Sequence, residues 1–165
     1  MNLQRERVSS DFIVRRATAS DAAAIHSILA AAFAPLQHLY TPDAYHATVV
    51  PESGVIARLH EGPIWIGGCN GAAVGTVSAR CDADAVFVRG MAVLREARGR
   101  GLGQALLHAT EDFARQQGRT RMVLYTTAFL HGAIRLYHAS GFAFTGDAIN
   151  PHGTELLQMA KELRP

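Results

Sequence analysis

The sequence predicts an α/β domain built on a mixed sheet with helices on both faces. Three observations carry that expectation. Along the chain, apolar residues alternate between the two-residue spacing of strands and the 3.6-residue spacing of helices. The pair Asn70-Gly71 separates two β-rich runs, the signature of a tight hairpin. Most helical stretches open on a cap or close on a proline or glycine. With 165 residues, 48% of them hydrophobic, and no Pro/Gly/Ser-rich linker, a single domain spanning 12–165 is expected.

The elements follow in order. Residues 1–11 are charged, unlike a secretory leader, and read as a flexible N-terminal arm. FIVRRAT (12–18) reads as a strand. SDAAAIHSILAAAF (20–33) reads as a helix capped by Ser20, with Ile25, Ile28, Leu29 and Phe33 on one face and Pro35 ending it. Thr41 before Pro42 opens a second helix, interrupted at Pro51 and continuing through GVIARLH. IWIGGC and AAVGTVSARC form the hairpin, and AVFVRGMAV (85–93) forms a further strand. GLGQALLHATEDFARQQG is helical and stops at Gly118. MVLYTT (122–127), the short helix HGAIRLYHAS and the strands FAFTG and TELLQMAKEL complete the chain.

Composition narrows the function. Lys+Arg exceed Asp+Glu by 16 to 14, and a net charge of +2 gives no ground for nucleic-acid binding. No uninterrupted run of about 18 apolar residues is present, so no membrane association is expected. The eight histidines include no HExxH and no cysteine-histidine cluster, so no metal site is expected. Cys69 faces Ala72 across the predicted hairpin, so a bridge to Cys81 is not expected. Reduced thiols in a soluble cytoplasmic protein are the resulting expectation.

The chemistry concentrates in ARGRGLGQALL (97–107), a glycine-rich turn between a strand and a helix. Such a turn points free backbone amides and the positive end of the helix dipole at an anion. A Walker A loop needs Lys followed by Ser or Thr, and neither is present. A dinucleotide fingerprint counted from Gly99 needs a third glycine where Gln104 stands. The pattern that fits is R-x-x-G-x-G, on Arg98, Gly101 and Gly103.

MAVLREARGRGLGQALL resembles the acyl-CoA-binding segment of the GNAT superfamily of N-acetyltransferases, and AIRLYHASGF resembles that family's LYxxxGF signature. The two stand in the family's order and spacing. The resemblance implies a single-domain GNAT-like fold with a mostly antiparallel central sheet, and acetyl-CoA as co-substrate. It implies that Met91, Ala92 and Val93 line the pantetheine arm, with the backbone of Met91 and Val93 bonding it. It implies that Arg98, Gly99, Arg100, Gly101, Leu102, Gly103 and Gln104 hold the pyrophosphate. Tyr137 would be the proton donor to the departing thiolate, and the Val93 amide would stabilise the developing oxyanion. A phenol near pKa 10 suits a thiol of about 8.5.

The sequence departs from the family at the base. Arg89 stands where many relatives carry a glutamate, and Leu130 stands where an asparagine is frequent. Without that base the site suits an acceptor amine of low pKa, or a water chain that Asp84 or His131 could feed, and His38, Tyr40, Tyr45 and Trp65 are the candidates for the acceptor pocket. The activity implied is transfer of acetyl from acetyl-CoA to a primary amine of a small molecule or peptide, by direct attack in a ternary complex. Neither cysteine falls in the expected site, so no acyl-enzyme is implied. The rival is a non-catalytic acyl-CoA-binding regulatory module that lost acceptor chemistry. A homodimer through the last two strands is also implied by resemblance.

Overall fold

The computed structural model describes Phe12–Pro165; the expected arm at 1–11 lies outside the described residues. The strands are β1 (Phe12–Arg16), β2 (Ile64–Cys69), β3 (Ala72–Cys81), β4 (Ala85–Val93), β5 (Arg121–Thr126), β6 (Ala143–Ile149) and β7 (Leu156–Glu162). The helices are α1 (Ala22–Phe33), α2 (Pro42–Thr48), α3 (Glu52–Glu61), α4 (Leu102–Gln116) and α5 (His131–Ala139). One seven-stranded sheet runs β1-β2-β3-β4-β5-β7-β6, antiparallel throughout except for the β4–β5 pair.

The order matches the sequence expectation with local corrections. Ser20 is not the first cap. Thr18 is extended and its amide donates to the Asp21 carboxylate at 2.8 Å, so a 3-10 turn over Ala19–Asp21 precedes α1. Asp21 also takes both guanidinium nitrogens of Arg15 at 2.8 Å, which hold its carboxyl down to about 2 with help from the Thr18 amide. Pro35 tightens the coil rather than stopping it, because Ala34–Leu39 continues as a 3-10 turn. The Thr41 hydroxyl caps α2 as expected, accepting from the Ala44 amide at 3.2 Å, and Pro51 separates α2 from α3.

Two hydrophobic layers sandwich the sheet. Leu102, Leu106 and Leu107 of α4, with Tyr137 of α5, pack against Val77, Val86, Met122, Leu124 and Met159 on one face. Ile25, Ile28, Leu29 and Phe33 of α1, with Val55 of α3, pack against Ile64, Ile66 and Ala92 on the other. By length and composition the stretch Ala19–Leu39 is apolar enough to cross a membrane. Within it Ala22, Ile25, Ile28, Leu29 and Phe33 are buried against the sheet. Cys69 does pair with Ala72 in the hairpin register, and Cys69 and Cys81 are free thiols.

One irregularity in the sheet creates the site. β4 and β5 are paired only from Ala85↔Arg121 to Val88↔Leu124. Beyond that point Tyr125 and Thr126 stay with β7, whereas Arg89–Val93 follow β3. The β3–β4 register slips by one residue between Ser78↔Arg89 and Thr76↔Ala92, and Gly90 lies there with φ +62. This is a β-bulge, which bends its strand, and it stands where the strands part.

Candidate active site

Val93 lies at the open edge of β4. The Leu94 amide donates to the Val74 carbonyl at 2.8 Å, which makes Val74–Leu94 the hydrogen-bonded pair and Gly75–Val93 the non-bonded one. In an antiparallel ladder the groups of the non-bonded pair point away from each other. The N–H and C=O of Val93 therefore face the opening beside β5. The Arg98 Nε donates to that carbonyl at 2.9 Å and so ties the glycine turn to the strand end.

The turn is held by backbone conformation. Gly99 and Gly101 have φ +74 and +88, a region costly for any residue with a Cβ, although a Cβ there would meet nothing within 4 Å. Gly101 is the residue before α4, and its carbonyl accepts the first helical bond, from Ala105 at 3.1 Å. The amides of Leu102, Gly103 and Gln104 thus have no partner within the helix. Gly103 answers to packing instead. A Cβ on it would lie 2.7 Å from Leu136 Cδ2, so it lets α4 approach α5.

A groove of about 770 Å³ runs along these groups. Of the expected cofactor residues, Met91, Val93, Arg98, Gly99, Gly101, Leu102, Gly103 and Gln104 line it. Ala92 turns its side chain into the opposite core, leaving only its backbone near the strand edge. Arg100 does not line the groove and stacks over the Phe12 ring at 4.8 Å.

A second cavity, of about 300 Å³, lies beside the first. The two share Phe33, Met91 and Leu130 as walls, so they meet where β4 and β5 diverge. Tyr137 lines the second cavity and is 6% exposed, its ring edge-on to Phe142 at 6.1 Å. Burial, and secondarily Tyr40, push the Tyr137 phenol well above the usual range. Tyr40 is raised as well by burial. The Thr127 hydroxyl draws Tyr40 back slightly, yet the two fall short of hydrogen-bond geometry.

Of the expected acceptor residues only Tyr40 lines this cavity. His38 is exposed on the 3-10 turn after α1. Tyr45 sits behind Tyr40 at 6.1 Å, and Trp65 lies on the α4 side of the sheet against Phe113 and Arg16. Asp84 is exposed at the β3–β4 turn and touches neither cavity, whereas His131 lines the larger groove.

The sequence reading missed Arg58, Thr126, Thr127 and His152, all of which line the smaller cavity. Arg58 belongs to a stretch legible only as helix, and His152 arrives from the β6–β7 loop. That loop is held over the cavity by Thr41, whose amide donates to Thr154 Oγ1 at 3.0 Å and whose hydroxyl donates to the His152 carbonyl. Arg89 also lines the cavity and pairs with Glu61 of α3.

The family model for the acetyltransferase (GNAT) family matches residues 23–142, from α1 through the LYHASGF segment. The chain belongs to the GNAT family. Mouse N-acetyltransferase 8 is 36% identical over 90 residues, covering 51% of this chain and 40% of that protein. The chain thus matches less than half the length of such curated relatives. Among solved structures, the Thermoplasma acidophilum PaiA N-acetyltransferase in complex with coenzyme A superposes with a TM-score of 0.76 at 12% identity. It covers 92% of this chain and 98% of its own. The Salmonella typhimurium YncA putative acetyltransferase, with acetyl-CoA, gives 0.71 at 24% identity over 93% and 95%. At these identities the structural likeness shows the GNAT fold: a mostly antiparallel sheet whose helices cover both faces.

Proposed function

We propose that this GNAT chain is an acetyl-CoA-dependent N-acetyltransferase acting on a primary amine of a small molecule or peptide while both substrates are bound. The observation that carries the reading is the meeting of the two cavities. One holds the Val93 edge and the unpaired amides of α4 and the other holds Tyr137, with Met91 of β4 lining both.

The free amides of Leu102, Gly103 and Gln104 and the dipole of α4 suit a pyrophosphate. Acetyl-CoA supplies a thioester whose carbonyl carbon forms a C–N bond with the amine as its C–S bond breaks, one amine proton ending on the sulfur. The Val93 N–H faces the opening and donates where negative charge gathers on the carbonyl oxygen. Tyr137, kept protonated by burial, donates a hydrogen bond to the sulfur. Its raised pKa opposes complete proton loss to a thiolate of about 8.5, so the phenol releases its proton only as it receives another.

No carboxylate is among the described residues lining the acceptor cavity. A lysine-like amine of pKa about 10.4 costs near 4.6 kcal/mol to neutralise at pH 7, against about 1.4 kcal/mol for an α-amine near 8. A site without a strong base therefore suits an acceptor of low pKa. The free thiols Cys69 and Cys81 suit a reducing, cytoplasmic setting.

The lack of a carboxylate also favours a second reading, a non-catalytic acyl-CoA-binding module. Melting curves with acetyl-CoA, followed by thiol release over a panel of amines, decide between them. Transfer activity requires both a raised Tm and thiol release; a raised Tm with no release supports the binding module. An unchanged Tm overturns both.

A further inference from the structure

We propose that the acceptor cavity selects an α-amino acid with an apolar side chain, its carboxylate held by Arg58 and Arg89 at the β4 bulge. The choice of amine rests on the acetyl-transfer reading above, whereas the carboxylate site stands on its own geometry.

The bulge makes room for a cation. A Cβ on Gly90 would lie 2.9 Å from Arg58 Nη1, so the guanidinium occupies the space over a residue that has no side chain. Arg58 comes from α3 and its Nη2 donates to the Ala47 carbonyl of α2 at 3.3 Å, which fixes the group across the cavity wall. Arg89, the residue before Gly90, lines the same cavity with 18% of its side chain exposed.

Among the described residues these two cations share a single nearby carboxylate, Glu61, which pairs with Arg89 and acts on Arg58 only through its charge. Glu61 also reaches Arg80 at 3.8 Å. Among the described residues no carboxylate pairs with Arg58. Burial, and then the charge of Arg89, lower the Arg58 guanidinium to about 10, the sign of a desolvated cation beside a like charge. A ligand carboxylate accepting from a guanidinium relieves both penalties and offers the two-oxygen geometry that suits the fork.

A second set of atoms points to a polar ligand. Arg89 Nε, Thr126 Oγ1 and Thr127 Oγ1 are buried without a hydrogen-bond partner, and all three residues line the cavity. Buried polar atoms are nearly always satisfied, so several orphans around one cavity mark a place where a ligand supplies the partners. The remaining walls, including Phe33, Phe87, Leu124, Leu130 and Leu156, are apolar and suit the side chain of an amino acid.

The charge pattern also serves the amine. A free amino acid holds its ammonium more tightly than a peptide terminus does, because its own carboxylate stabilises the positive form. Pairing that carboxylate with guanidinium removes the stabilisation and favours the neutral amine. A polyamine meets repulsion in the same place.

The experiment has two arms. In the first, N-acetylphenylalanine and its carboxamide are titrated calorimetrically into protein saturated with CoA and into protein without it. The acid is expected to bind at least tenfold more tightly than the amide in both. Arg58→Gln should abolish the preference and Arg58→Lys should restore part of it, with the acetyl-CoA melting shift unchanged in both variants. In the second, thiol release from acetyl-CoA is followed with phenylalanine, leucine, methionine, their carboxamides and spermidine. The free acids are expected to show at least tenfold higher kcat/KM than their amides, with spermidine slowest. Equal binding of acid and amide, or binding of neither, overturns the carboxylate site in the wild-type protein alone. Preferred turnover of spermidine or of the amides also overturns it, while leaving acetyl transfer intact. Selective binding of the acid with no thiol release from any amine overturns the transfer reading and leaves the carboxylate site standing.

Discussion

The two cavities are built by opposite means. One wall of the larger groove is backbone from one continuous segment, the Val93 edge, the left-handed Gly99 and Gly101 and the free amides of α4, and it faces residues of α1 and of the 129–136 stretch. The smaller cavity is made of side chains brought from α2, α3, β4, β5, α5 and the β6–β7 loop. A backbone site tolerates little variation because a phosphate needs amides in one geometry. A side-chain site can be rewritten one residue at a time, as Arg89 in the expected place of a glutamate illustrates. On the proposed function, such a fold would keep one co-substrate while its acceptor half is free to change.

Four substitutions at three positions test this contrast, and the largest effect is expected at the turn. Gly101→Glu places both a strained residue and a carboxylate at the cradle, and it should abolish the rise in Tm caused by acetyl-CoA. Gly101→Ala adds only a left-handed penalty of about 1–2 kcal/mol and should keep most of the rise. A full shift with Gly101→Glu would show that the backbone amides do not hold the ligand. Next in size is Tyr137→Phe, for which kcat should fall by about 100-fold or more, with the acetyl-CoA shift unchanged. Equal turnover in stopped assays of both proteins removes the donor role. The smallest effect belongs to Gly103→Val, where a branched side chain runs into Leu136. It should destabilise the ligand-free protein by about 1–3 kcal/mol, read from chemical denaturation; unchanged stability would mean that α4 and α5 are not packed as closely as described.

The contrast also explains what could be read in advance. The glycine turn and LYHASGF are contiguous, so residue identity alone located the groove and placed Tyr137 on a helix facing the core. The reason for each glycine was harder to see, since Gly99 and Gly101 answer to φ whereas Gly103 answers to Leu136, a partner 33 positions along the chain. His38, Tyr45 and Trp65 were reasonable acceptor candidates by type, but which face a side chain takes depends on sheet register and helix rotation. Trp65 falls on the α4 face and His38 on an exposed turn. The Ser20 cap failed for a local reason, because Asp21 serves both Arg15 and the Thr18 amide and so starts the coil earlier.

By itself the sequence determined the order of elements, the hairpin at Asn70-Gly71, the glycine turn that opens α4 and the absence of a glutamate at position 89, since each depends on short-range pattern. Only the tertiary structure decided that β4 leaves β5 after Val88, that Arg58 fills the space above Gly90, and that the unpartnered hydroxyls of Thr126 and Thr127 gather beside it. Those features depend on a bulge and on packing between segments distant in the chain. Local propensity holds no record of such contacts, because they exist only once the sheet and its two helical layers have formed.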